Sequence, residues 1–96
     1  MNNDVWIGLA TVRPADGNTE LDEAKGAAVN VLYLATSRED FIDKVMKKLA
    51  EYGYILEELE DIELFDFNVD YKDNLQEVAT IAVITKKLQW GTFYTF

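Results

Sequence analysis

Residues Gly26 to Thr36 are apolar on both faces of an extended chain. Val29, Val31, Tyr33 and Ala35 fall on one side, and Ala28, Leu32 and Leu34 fall on the other with Asn30 among them. A strand with one wet face alternates apolar with polar side chains, so a run that is apolar on both sides predicts a central strand. Upstream, Val5, Ile7 and Leu9 alternate against Trp6, Gly8 and Ala10 over Val5 to Val12, which is the period of a first strand. Between the two runs, Arg13 to Lys25 holds Pro14, Asp16, Gly17, Asn18, Asp22 and Glu23. This turn chemistry predicts a long loop, the one stretch with the character of a disordered or ligand-responsive segment.

After the central run the period changes. Ser37 with Asp40 three residues on is a capping box of the S-x-x-D kind, and Phe41, Ile42, Val45, Met46 and Leu49 then mark one helical stripe. Gly53 supplies a stop, so a helix is predicted over Arg38 to Tyr52. Its outer face pairs Asp43 with Lys47 favourably at i, i+4 and sets Lys44 against Lys48, each pair worth only about 0.2–0.5 kcal/mol.

Tyr54 to Leu64 mixes apolar and acidic residues. Leu56, Leu59 and Ile62 also fit helical spacing, but a start directly after a glycine stop favours an edge strand. A second helix is predicted over Asn74 to Lys87. Asp73 with Gln76 suits its start and Lys86 with Lys87 its end, while the β-branched run from Val78 to Thr85 would equally suit a strand. Gln89 to Phe96 alternates Trp90, Thr92, Tyr94 and Phe96 against Gly91, Phe93 and Thr95, the pattern of a final strand.

Together these elements predict a single α+β domain over residues 1–96, a two-layer sandwich of order β-β-α-β-α-β. A mainly antiparallel sheet of four to five strands would carry one or two helices on one face.

Composition narrows the chemistry. The chain has 96 residues and a net charge of −9, yet 49% are apolar and 12% aromatic, so the charge decorates a folded body. Histidine and cysteine are absent, and the lone serine, Ser37, is spent on the helix cap. The side chains behind most nucleophilic catalysis and transition-metal binding are therefore missing, and no glycine-rich phosphate loop is present. The expectation is a non-catalytic chain without a cofactor. Nine basic residues, of which only Arg13 and Arg38 are arginines, argue against nucleic acid as a partner. With no long apolar run, no exporting segment and no disulfide framework, no membrane association is expected and the cytoplasm is the expected compartment.

Between Glu51 and Glu77 stand ten carboxylates against one lysine. The dense part is Glu57, Glu58, Glu60, Asp61 and Glu63. In a regular strand Glu58 and Glu60 would share one face and Glu57, Asp61 and Glu63 the other, so no pair converges for acid–base work. A charged edge that docks a basic protein partner is the functional reading, with an inhibitor or immunity protein as its sharpest form.

Two other constellations enter as candidates. Asp66, Asn68, Asp70 and Glu77 fall at positions 1, 3, 5 and 12 of a loop that resembles an EF-hand, a spacing that implies a cation site. Tyr71 stands where the bend requires glycine and Asp73 where an apolar residue is usual, which favours a plain acidic turn. Asn30, Tyr33, Trp6 and Trp90 form the second candidate, a pocket for a small molecule in a dimeric α+β protein or a simple acid–base enzyme. A homodimer would follow if an edge strand paired with its own copy.

Overall fold

In the computed structural model, residues 4–17, 25–69, 71 and 74–96 are described. Asn18, Asp22 and Glu23 of the predicted loop lie outside them, as do Asp70 and Asp73. Strands β1 (Asp4–Pro14) and β2 (Ala27–Ala35) pair antiparallel, from Asp4 opposite Ala35 to Val12 opposite Ala27. β3 (Tyr54–Leu64) adds to the other flank of β1, while β4 (Gln89–Trp90) and β5 (Tyr94–Thr95) add to the other flank of β2. The order is β3-β1-β2-β4 with every pairing antiparallel, and the strand that is apolar on both sides is internal.

Helix α1 (Arg38–Glu51) carries the chain from β2 across β1 to the sheet edge. Ser37 Oγ accepts from the Asp40 N–H at 3.1 Å, the first half of the predicted capping box. The reciprocal half is displaced by one residue. The Asp40 carboxylate accepts from the Thr36 backbone N–H at 2.9 Å and from the Thr36 hydroxyl at 3.2 Å rather than reaching the Ser37 amide. The Thr36 amide bond, more than nearby Lys44, holds the Asp40 carboxyl below its ordinary value. Because the folded pKa is the lower one, this contribution is complete above the ordinary carboxylate range and is lost as pH falls below it through the folded value. Thermal melts of Asp40→Asn should therefore lie below wild type at pH 7, and the gap should close as pH drops below the ordinary carboxylate range. A gap independent of pH would place the stabilisation elsewhere.

The lysines of α1 are all neutralised locally: Lys44 by Asp40 at 3.3 Å, Lys47 by Asp43 at 2.9 Å and Lys48 by Glu51 at 3.1 Å. The Lys44–Lys48 repulsion read from spacing is thus relieved, because each ammonium has its own carboxylate. Phe41, Val45 and Leu49 of the predicted stripe are buried, whereas Met46 at its margin is exposed. They pack on Ala10, Val12, Val29 and Val31, one alternate set of the two central strands. Gly8 lies in this layer because a Cβ there would stand 3.0 Å from Leu59 Cδ1 and 3.2 Å from the Phe41 ring.

Helix α2 (Leu75–Thr85) forms where the β-branched run left helix and strand in competition. Leu75 and Ala79 pack with Val5, Ile7 and Leu32, the other alternate set, so α2 lies on the reverse of the sheet from α1. The α+β class, the antiparallel sheet of four to five strands and the element order are those expected. α1 alone covers its face, and the second face of β2 needs the cover that α2 supplies.

The final strand is broken. Trp90 and Phe93 both join the α1-side cluster, where their ring centroids lie 5.6 Å apart and where Tyr52 and Tyr54 also sit. Residues three apart cannot share a face in a regular strand, so the chain leaves the ladder between them.

Candidate docking site

Strand β3 has two irregularities that decide where its carboxylates go. Against β1 its register shifts between Thr11 and Val12 and again between Ile7 and Leu9. Val12, Ala10 and Thr11 oppose Leu56, Leu59 and Glu58, so Glu57 is the extra residue at the first bulge. At the second, Asp61 takes the left-handed conformation with φ 52°. Bulges insert a residue and re-aim those that follow.

The consequence differs from regular alternation. Glu58 stands opposite Thr11, Glu60 opposite Leu9 and Glu63 opposite Ile7, all on the face away from α1. Without the Asp61 bulge Glu63 would lie on the other side. Glu57 reaches Arg13 at 3.9 Å, a long and half-exposed pair. Among the described residues Glu58, Glu60, Asp61 and Glu63 have no ion-pair partner. Four of the described carboxylates without an ion pair therefore stand together on one edge strand. Neighbouring members of such a row sit about 7 Å apart.

Beside this row lies a hollow of about 310 Å³. Ile7, Leu9 and Leu75 give it apolar walls, and Asn30, Asp61, Glu63 and Tyr71 give it polar ones. Asn30 is fixed through its backbone, whose carbonyl accepts from Gly91 N–H at 2.9 Å, where it lines the hollow. Tyr71 is fixed by stacking on Phe65 at 4.4 Å and by accepting the Asp66 N–H at 3.2 Å. An aromatic wall, an amide and two carboxylates over an apolar floor suit the end of a lysine or arginine side chain.

The four candidate pocket residues do not converge. Trp6, Tyr33 and Trp90 belong to the α1 layer, while Asn30 lies on the reverse. Trp6 packs on Phe41 with ring centroids 6.4 Å apart. Among the described residues its indole N–H is buried without a hydrogen-bond partner, an arrangement that costs about 1–3 kcal/mol. Trp90 packs edge-on against Tyr52 at 5.0 Å. Tyr33 lines a separate cleft of about 510 Å³ with Asp4, Lys44, Phe67, Val83 and Lys86, and Lys44 lies 5.7 Å over its ring.

In the loop that resembles an EF-hand, Asp66 Oδ1 accepts the Asn68 N–H at 2.9 Å, which closes an Asx turn, and Glu77 stands exposed in the first turn of α2. Asp70 lies outside the described residues. Among the described residues no group of three or more such ligands is placed to hold a metal ion, and no helix is long and apolar enough to cross a membrane.

Sequence reasoning found the acidic run but not its alignment, which rests on the Asp61 bulge, nor the part that Tyr71 and Leu75 take in the hollow. The glycine-free i, i+3 spacing of Leu56, Leu59 and Ile62 was the available signal. No family model, curated protein or solved structure matches this chain.

Proposed function

We propose that this chain is a non-catalytic interaction module whose β3 edge docks a basic protein. The observation that carries the reading is the alignment of Glu63 with Glu58 and Glu60 on one face by the Asp61 bulge, beside a hollow that fits a cationic side chain. A row of like charges costs free energy on folding, and a basic partner relieves that cost when it binds. An inhibitor or immunity protein that covers the cationic surface of a toxin is the most specific form of this reading. The same row deters pairing between copies of β3, because like charges would meet along both edges.

The test compares wild type with the triple variant E58K/E60K/E63K. A partner captured at low salt should carry net positive charge, and its association with the variant should be slowed about 10- to 100-fold, a difference that shrinks as salt rises. Equal association rates for both proteins would remove the β3 edge from the interface.

A further inference from the structure

The cleft of about 510 Å³ at the end of the sheet where β1 begins and β2 finishes is walled in part by apolar side chains left open to water. Phe67 is 49% exposed and Val83 44%, and both line it with Tyr33. Its volume is that of a small-molecule site. Three charged residues line it as well. The Lys44 ammonium is already committed: it donates to the Leu34 carbonyl at 3.2 Å, pairs with Asp40 at 3.3 Å and lies 5.7 Å over the Tyr33 ring. Asp4 and Lys86 border the same space, yet neither has an ion pair among the described residues, so the two opposite charges do not meet across it.

Lys86 holds its place against local preference. It ends α2 in the left-handed conformation, φ 57°, with its N–H on the Ala82 carbonyl at 2.8 Å. Glycine ordinarily fills that position because a Cβ is crowded there, but glycine would take the ammonium out of the cleft. Asp4 would repel a simple anion in this space, and Lys44 and Lys86 would repel a simple cation. A molecule that carries both charges satisfies both sides. We propose that the cleft binds a free α-amino acid with a large apolar side chain, its carboxylate on Lys86, its ammonium on Asp4 and its side chain against Phe67, Val83 and Tyr33. The adjacent opposite charges of the amino acid supply the bridge that Asp4 and Lys86 do not make directly.

The cleft and the hollow beside β3 have no lining residue in common, so either site can fail without touching the other. Phenylalanine titrated into the isotopically labelled chain should shift the amide signals of Tyr33, Val83 and Lys86 saturably, with a Kd of about 3 mM or tighter. Hydrocinnamate lacks the ammonium and phenethylamine lacks the carboxylate, so each should bind at least about 10-fold more weakly. Lys86→Gly should melt no lower than wild type, because glycine takes the left-handed conformation freely, and should lose at least about 10-fold in affinity for phenylalanine. Asp4→Asn should lose affinity for phenylalanine to a similar degree yet bind hydrocinnamate no more weakly than wild type does. A weaker or unsaturable response to phenylalanine would overturn the proposal, as would equal binding of either analogue or undiminished binding by either variant. A fall in melting temperature for Lys86→Gly would also overturn it, by assigning Lys86 to the helix end, where a cation suits the dipole.

Discussion

Phe41→Ala is expected to lower the unfolding free energy by about 3–5 kcal/mol in denaturant titrations, a large part of the roughly 5–14 kcal/mol that a chain of this length commands. The side chain is fully buried and joins three elements at once: it packs on the Trp6 ring, closes over Gly8, and lies within the layer that Leu59 and Ile62 of β3 complete. No neighbour can collapse into the space without pulling α1 off the sheet. Trp6 would be most affected, and its fluorescence gives a second readout of the same transition. A loss below about 1 kcal/mol would mean that α1 can reseat itself, contrary to the close packing at Gly8.

Leu32→Ala is expected to cost about 2–5 kcal/mol through the other face. Leu32 is fully buried where β2 meets Val5, Ile7, Leu75 and Ala79, and it is the largest side chain under α2 to be wholly excluded from water. Because α2 offers the sheet two small alanines beside Leu75, much of the contact between helix and sheet depends on the large residue below. Amide exchange should accelerate more in α2 than in α1. If α1 exchanges fastest instead, Leu32 is not the seat of α2.

The pattern of β2 alone determines its central place in the sheet, because a strand that is apolar on both faces has no stable place at an edge. The Ser37 cap and the stripe of α1 were equally readable from local chemistry. β3 was harder for a physical reason. Its apolar residues recur every third position, Leu56, Leu59 and Ile62, which imitates a helix, yet they all face α1 because each bulge adds one residue to a two-residue repeat. Periodicity alone cannot separate a helix from a strand bulged at regular intervals. The carboxylate row was hidden by the same feature, since Glu63 changes face only when Asp61 adopts φ 52°. The break between β4 and β5 depends on where Tyr52 and Tyr54 stand, which is a tertiary fact. The failure of Asn30 to meet Trp6 follows from strand alternation and was already implicit in the β2 pattern.

The two neighbours of β1 reach it by very different routes. β2 folds back as a hairpin, whereas β3 must arrive after a whole helix, with Pro14 finding Tyr54 and Trp6 finding Leu64. Pairings so distant in sequence carry the larger loop-closure cost and dominate the time needed to fold. The carboxylates acquire their common face only when this slow pairing is made in the right register. A protein that recognises the row therefore distinguishes a finished chain from one still folding, and its binding rate after refolding would serve as a clock for the last strand to dock.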